Sequence, residues 1–495
     1  MNSLILAWLV LPLAAAFIAA LFNKSGRWLA ISIPLASIGL SIWLSLNPSK
    51  LPLVLMDSPG VALNLKTSQL GFLLLNGLVC TAIALQIGSK PRQKLTWVLL
   101  LILHGSLNSV YLAADLMSIY VAIELVAITA FLLIIDLERK ATLWIAFRYL
   151  ILGDLAMILY DFGALLAYQA SGDFSIARQG QFTSVTISLL VVGLLFKTGA
   201  FLTGFWLPLT HATAPTEVSA LLSSLVVTAG AAPLARLADQ SRETTLLLIV
   251  FGCFSLVIGV IAALVQTDIK RMLAWSTISQ MGYVLLAPAS AGLYALAHGV
   301  GKAALFLLAG KLPTREIARL QAGQMNWGLG LPIGVASLSL IGVPGSIGYS
   351  AKALLTDSVD PGLASLVSWS GVGTAIVFAR FLPNTNDWPL ARTEQSVVSG
   401  ESQQTQRLSS AGIGTWLLIA AILTMPWLLG WQSGSPKAFA PSLLILGIGI
   451  GIERCLRRAR LSWTPPDFER FVDVVIAVGV TLLCSQVILW QLPSQ

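Results

Sequence analysis

Residues 194–237 read LLFKTGAFLTGFWLPLTHATAPTEVSALLSSLVVTAGAAPLARL, an apolar run long enough to cross a bilayer that carries Lys197 near its start. An ammonium at the centre of a membrane helix costs about 2.5–3.5 kcal/mol on insertion scales, so such groups are kept where they face a bundle interior or water. Pro208 and Pro215 follow in the same stretch. A proline inside a span frees backbone carbonyls and kinks the helix, and broken helices survive in membranes where the exposed backbone lines a cavity. The stretch therefore predicts a transmembrane helix interrupted at a functional position.

The rest of the chain agrees with a membrane setting. Its 495 residues are 56% hydrophobic and 11% charged, with a mean hydropathy of +0.83, which excludes a soluble domain of this size. Apolar runs of about 20 residues recur, each sufficient for a hydrocarbon core of ~30 Å. The 15 Trp suit interfacial anchoring. Strand-period alternation is absent, so the spans read as helices and not as a barrel. Cys80, Cys253, Cys455 and Cys484 lie far apart, with no C-x-x-C and no histidine beside them, and predict no metal site. Leu4 to Leu21 lacks a basic leader and reads as a retained first span.

Apolar windows between polar breaks give sixteen candidate spans, from one centred near Leu11 to one near Val478. Alternating the loops places most of the Lys and Arg on one side, including Lys24, Arg27, Arg139, Lys140, Lys270, Arg271, Arg315, Arg380 and the run from Arg454 to Arg470. The other side holds only Lys50, Lys66, Arg178, Arg242 and Lys437. The basic side is the cytoplasmic one, which puts both termini outside. The net charge of +8 follows from this topology and from contact with an anionic bilayer, not from nucleic-acid binding. Four regions result: N-terminal helices (1–94), a charge-rich core (95–383), a polar cytoplasmic loop (384–410) and C-terminal helices (411–495).

Ionisable groups inside the spans mark ion or proton pathways. Five are basic: Arg148, Lys197, Arg236, Lys302 and Lys352. Glu124, Asp154 and Asp161 are acidic, and His104, His211 and His298 join them. Glu124 lies mid-span, where its charge depends on a partner cation such as Lys197 or Arg148. Asp154 and Asp161 are two helical turns apart and share one face with Tyr168. His211 follows the break, and histidine is the side chain whose ordinary titration range spans neutral pH. His298 and Lys302 stand at i and i+4 in ALAHGVGKAALFLLAG, stacked on one helix face.

A second interrupted run, SLIGVPGSIGYSAKALL, carries Gly342, Pro344 and Gly345 with Lys352 beyond. Two broken lysine helices in corresponding halves point to an inverted-repeat transporter with a midplane ion path. By contrast, Asp268, Lys270 and Arg271 read as a capped cytoplasmic helix start. No H-E-x-x-H, phosphate-binding loop or dinucleotide fingerprint occurs.

These motifs resemble the antiporter-like membrane subunits shared by respiratory complex I and Mrp-type cation/proton antiporters, over roughly residues 95 to 380. FKTGAFLTGFWLPLTHATAPTEVSALL resembles that family's broken seventh helix and QTDIKRMLAWSTISQMGY its loop-helix signature. HGVGKAALFLLAG resembles its lysine helix, and GVPGSIGYSAKALL its broken twelfth helix. The resemblance implies an all-α integral membrane protein of about 14–16 transmembrane helices, with two inverted five-helix repeats and broken helices. It implies that Glu124 is the acid of the fifth helix, Lys197 its partner, Lys302 the central lysine and Lys352 the terminal one. Many members have a lysine where this chain has Thr228, and an acid where it has Leu209. Thr228, Arg236 and Asp154 resemble the branch containing the distal, largest complex I subunit.

The expectation is a proton-translocating subunit of a hetero-oligomeric membrane complex, in a bacterial inner (plasma) membrane or a thylakoid membrane. Its relay is Glu124, Lys197, His298, Lys302 and Lys352, with Asp154, His211 and Arg236 as relay or support. No cofactor or metal is implied in this chain, and any quinone-oxidoreductase redox centre lies in partner subunits. Na+ exchange, partnership with an inorganic-carbon uptake protein, and a non-conducting scaffold are the alternatives.

Overall fold

The computed structural model describes residues 2–22, 25–47, 53–56, 60–87, 93–136, 138–322, 327–381, 411–430 and 436–459. Two helices, α1 (Asn2–Leu21) and α2 (Gly26–Leu46), lead through the antiparallel hairpin β1 (Leu53–Met56) and β2 (Val61–Leu63) into α3 (Thr67–Gln86). Five spans follow. They are α4 (Gln93–Leu112), α5 (Leu116–Ile134), α6 (Lys140–Ser171), a broken pair α7 (Ser184–Thr198) and α8 (Trp206–Thr213), and the pair α9 (Thr216–Leu221) and α10 (Thr228–Ala238). A wide π turn at Leu222–Val226 joins the last two.

The next five are α11 (Arg242–Leu264), α12 (Ile269–Leu286), α13 (Ala291–Ala309), the broken pair α15 (Trp327–Ile341) and α16 (Ile347–Asp357), and α17 (Pro361–Ala379). A short helix, α14 (Ile317–Ala322), precedes the second broken pair. Five is odd, so an up-and-down chain enters the second set in the opposite direction, and the broken helix is fourth in both. Two more helices, α18 (Ile413–Leu428) and α19 (Pro436–Ala459), complete the described residues.

Ten helical segments among the described residues are long and apolar enough to cross a bilayer, and four shorter apolar helices join them. The chain is an all-α integral membrane protein. Fifteen of the sixteen expected spans coincide with helices; the one near Val478 and the loop 384–410 lie outside the described residues. α12 is rich in polar residues and is buried along nearly its whole length, so its hydroxyls and amides face neighbours and not lipid.

Loop contacts sort the two ends as the basic residues predict. At one end Lys66 pairs with Asp239 (3.0 Å), Arg178 with Asp173 (2.6 Å), and the Gln179 amide donates to Thr244 (3.1 Å). At the basic end Arg315 pairs with Asp268 (2.7 Å), and Arg380 donates to the carbonyls of Ala263, Leu264 and Gln266 that close α11. Cations at helix C-termini are favoured by the unpaired carbonyls and the dipole.

α13 is the axis of the molecule, packed by α3, α12, α15 and α18. α18 comes late in the chain yet sits against α3, where a Cβ at Gly414 would fall 1.9 Å from Ala82 O. Such bare contacts let membrane helices approach backbone to backbone. The hairpin, unexpected from sequence because its strands are so short, is anchored by Asn64 N–H to Leu112 O (2.8 Å) and Ala114 N–H to Ala62 O (2.9 Å).

Candidate functional site

The first break falls between α7 and α8, upstream of the prolines expected to cause it. Gly199 closes α7 with φ +68°, a left-handed cap that a glycine adopts without Cβ strain. Pro208 is the third residue of α8, where a backbone N–H has no intrahelical partner, so it starts the second half. The freed carbonyls are satisfied locally. Leu195 O accepts from the Thr203 hydroxyl (2.9 Å) and Phe196 O from the Trp206 indole (3.3 Å).

Lys197 lies in the last turn of α7, where the carbonyl end of the helix favours a cation. Its ammonium is 3.5 Å from Glu124 Oε1 on α5, with side chains 5% and 22% exposed. Asp154 of α6 adds its charge to both. Gly153 makes the room: a Cβ there would stand 3.0 Å from Lys197 Nζ. Behind it, Gly230 seats α10 on α7, since its Cβ would fall 2.4 Å from Leu194 O.

His298 and Lys302 are buried together on α13. The Lys302 ammonium donates to Leu273 O (2.7 Å) and to the Ser276 hydroxyl, and lies 5.4 Å from the Phe378 ring centre. Among the described residues no carboxylate forms an ion pair with it. The His298 ring faces the Ser223 backbone in the π turn. There the Val227 N–H reaches back to Leu222 O (3.3 Å), the wide-turn pattern often found at functional positions. Ser223 Oγ pairs with Thr277 Oγ1 (2.7 Å) and ties this turn to α12. His211 of α8 is fully buried, stacks on Phe306 of α13 at 4.8 Å, and lies within electrostatic range of Lys302 and Lys270.

The second break is again glycine-made. Gly342 (φ +95°) and Gly345 (φ +89°) flank Pro344. Lys352, on α16, folds back over Gly342 and donates to Ile341 O (2.7 Å), a carbonyl at the end of α15. Its ammonium lies 5.3 Å from the Tyr283 ring centre.

A polar thread that the sequence reading missed joins α12, α13 and α17. Tyr294 of α13 donates to Gln280 Oε1 (2.9 Å), and the Gln280 amide reaches Thr374 of α17 (3.5 Å). The Tyr283 hydroxyl meets Thr374 (3.4 Å) and Ser370 (2.6 Å). Ser276, Gln280 and Tyr283 are spaced four and three apart in STISQMGY, a one-face signal on α12.

The remaining expected residues occupy other settings. Arg236 donates to Asn64 O (2.6 Å) and to Tyr111 O, holding the hairpin and the end of α4, so its contacts are those of a support. Thr228 Oγ1 meets Tyr111 OH (2.6 Å). His104 joins Ser37 (2.9 Å) and Asn108 (3.3 Å) among the N-terminal helices, and Arg148 is buried on α6. Asp161 adds its charge at Tyr120. Asp268 caps α12 through Arg271 N–H (3.0 Å), as expected. Lys270 turns inward and donates to Ala214 O (2.6 Å), while Arg315 donates to Ala212 O (2.9 Å), so two cations cap the end of α8.

The chain matches the family model for NADH:quinone oxidoreductase/Mrp antiporter transmembrane subunits over residues 113–377. NADH-quinone oxidoreductase subunit N of Alkalilimnicola ehrlichii is 30% identical, with 47% of this chain aligned to 53% of that one. The chain thus spans about half the length of the quinone-oxidoreductase relatives it matches first. A Na(+)/H(+) antiporter subunit of Alkalihalophilus pseudofirmus is 26% identical, over 72% of this chain and 77% of that one. A chain of the Mrp complex from Dietzia sp. DQ12-45-1b superposes with a TM-score of 0.74 at 20% identity, covering 99% of this chain and 60% of that one, and so shares its fold. With the family match covering both broken helices and Lys197, Lys270, Lys302 and Lys352, the chain belongs to the NADH:quinone oxidoreductase/Mrp antiporter transmembrane family.

Proposed function

We propose that this chain conducts protons across the membrane as one subunit of a larger complex, through Glu124, Lys197, His298, Lys302 and Lys352, with Asp154 and His211 in support. The observation that carries this reading is Lys302, fully buried at the axis of the fold with only a carbonyl and a hydroxyl on its ammonium. A permanently charged lysine there would cost several kcal/mol with no countercharge to offset it. A lysine that takes up and releases a proton as its neighbours change charge does not carry that cost throughout the cycle. Glu124 sets the charge state of Lys197, and the thread through Gln280, Thr374 and Tyr283 leads from the central site to Lys352.

We place the conducting core at 95–383, flanked by the helices of 1–94 and 411–495. Other membrane subunits are the partners. Glu124, Asp154 and Asp161 lie on an α5–α6 face that is otherwise lipid-like, with Val121 62% and Ile158 40% exposed. Carboxylates cannot face hydrocarbon cheaply, which supports a covering subunit there. The chain's own residues supply proton-holding groups, and the driving force comes from redox chemistry in partners or from an ion gradient with Na+ as counter-ion. The setting is a bacterial plasma membrane or a thylakoid membrane.

The test is proton movement by the intact complex in sealed vesicles, read with a pH-sensitive dye with and without a Na+ gradient. Lys302→Met is expected to abolish it. Undiminished pumping by a correctly assembled Lys302→Met complex overturns the relay and favours a scaffold role.

A further inference from the structure

Val227 N–H bonds Leu222 O (3.3 Å) across the π turn at Leu222–Val226. An α-ladder would give that N–H to Ser223 O, four residues back, so the wide turn releases the Ser223 carbonyl from that bond. The Ser223 backbone faces the His298 ring, whose two nitrogens are otherwise buried without a hydrogen-bond partner among the described residues. Resting on the proton-relay reading above, we propose that Tyr111 and Thr228 are positioning residues of the relay, whose paired hydroxyls lock this turn in its wide form and so keep the Ser223 carbonyl on His298.

The turn joins two helices whose registers are set by different neighbours. α10 is gripped at two points by Tyr111 of α4, whose hydroxyl meets Thr228 Oγ1 (2.6 Å) and whose carbonyl accepts from the Arg236 guanidinium. Phe72 of α3 stacks on the Tyr111 ring at 5.4 Å, and both Tyr111 and Thr228 are fully buried. Thr228 Oγ1 also donates to Leu225 O (2.6 Å), inside the turn itself. A hydroxyl has one proton, so Tyr111 donates to Thr228 and Thr228 to Leu225 O. On the other side, Ser223 Oγ pairs with Thr277 Oγ1 of α12 (2.7 Å), and Ser219 Oγ of α9 donates to His211 O (3.1 Å). Closing the turn to α geometry would rotate α9 by about 100° against α10, one residue's share of a helical turn. One of these two sets of contacts would then break, and Ser223 would swing away from His298.

The consequence for His298 is chemical. A carbonyl only accepts, so it holds the ring nitrogen that carries a proton and thereby fixes the tautomer of the neutral imidazole. The other nitrogen keeps its lone pair and takes up a proton exchanged with Lys302, one helical turn along α13. Without the carbonyl either tautomer forms, and one of them presents an N–H where an acceptor is needed. Tyr111 lies just before the family-matched residues 113–377, so the lock reaches the relay from outside that region.

Two measurements on the assembled complex test the lock. The first reads geometry: with the chain's four cysteines replaced by serine, Ser223→Cys and Thr277→Cys are made together and treated with a membrane-permeant oxidant. Their hydroxyls are 2.7 Å apart, so the thiols should close to a disulfide, read as the loss of titratable thiol after denaturation. Adding Thr228→Val or Tyr111→Phe, which keep shape and remove a hydroxyl, should slow closure about fivefold, the order of one buried hydrogen bond. Thr228→Ser, which keeps the hydroxyl, should stay within about a factor of two. The second reads proton transport in sealed vesicles with Ser223 and Thr277 intact, and the same three variants should fall in the same order. Absence of the disulfide, closure unchanged by Thr228→Val and Tyr111→Phe, or Thr228→Ser as slow as Thr228→Val overturns the lock. Altered closure with unaltered transport removes Tyr111 and Thr228 from the relay. Disulfide closure is independent of pumping, so a Lys302→Met complex that still pumps would sink the relay while leaving the closure rates as they are.

Discussion

The two broken helices occupy the same place in the two five-span sets, yet their lysines do not. Lys197 precedes its break, in the last turn of α7, and its ammonium faces the carboxylate of Glu124. Lys352 follows its break, on α16, and its ammonium is held by the backbone carbonyl of Ile341 beside a cavity. Inversion of the repeat relates α7 to α15 and α8 to α16, so the repeat is symmetric in backbone and asymmetric in chemistry. A lysine tied to an acid has a charge that the acid controls. A lysine tied to a neutral carbonyl has no acid beside it to control its charge. On the proposed relay, the first arrangement suits a coupled input and the second an exchange point.

Four experiments break or sharpen this contrast, the largest expected effect first. Lys352→Met should lower proton transport by about 10²-fold or more, the order lost when a proton-transferring group is removed. Transport within a factor of two of the unaltered complex would end its role as the exchange point. Glu124→Gln should slow transport about tenfold, in line with a coupling of 1–3 kcal/mol between interacting sites. An equal rate would make the Glu124–Lys197 pair static. The third experiment uses the two glycines beside the lysines. A Cβ at Gly153 would stand 3.0 Å from Lys197 Nζ, whereas one at Gly371 would stand 4.0 Å from Lys352 Nζ. Gly153→Ala should therefore cost about threefold in rate, since small misplacements of a reacting group are felt, while Gly371→Ala changes nothing; equal effects would erase the difference in packing. The fourth experiment concerns the end of α8 and reads stability, with no effect on rate expected. Lys270→Met leaves Ala214 O unpaired and should destabilise the purified protein by about 1–3 kcal/mol, read as a lower thermal midpoint. An unchanged midpoint would mean that water replaces the ammonium.

Much of this was legible in the chain itself. The neighbourhood of both breaks and the stacking of His298 on the Lys302 helix follow from spacing, because helical periodicity fixes which residues share a face. The choice of Glu124 as the acid beside Lys197 rests on the family resemblance, since spacing alone leaves Arg148 as an equal partner. What sequence reading attributed to Pro208 and Pro215 at the first break belongs to Gly199, whereas at the second break Gly342 and Gly345, named there beside Pro344, are the left-handed residues. A left-handed residue terminates a helix whatever follows, and proline in a first turn is compatible with one. Lys270 looked like a surface charge because its neighbours in sequence are polar; its carbonyl partner, Ala214, is 56 residues away. The Tyr294–Gln280–Thr374–Tyr283 thread was invisible because it joins three helices, although the spacing of Ser276, Gln280 and Tyr283 announced a polar face.

By itself the sequence determined that this chain is a membrane protein, where its spans lie, which end is basic and which helices carry ionisable groups. Those are properties of composition and period, set by the cost of polar groups in hydrocarbon. Only the tertiary structure decided which of those groups meet. It placed Glu124 rather than another charge against Lys197, and left Lys302 with neutral oxygens only. It also brought α18 and α19, distant in sequence, against the axis helix and the Lys352 cavity. The reason is that membrane helices associate through close backbone approaches at small residues such as Gly230, Gly414 and Gly449. The partner that fills each bare surface is chosen by the packing of the whole bundle.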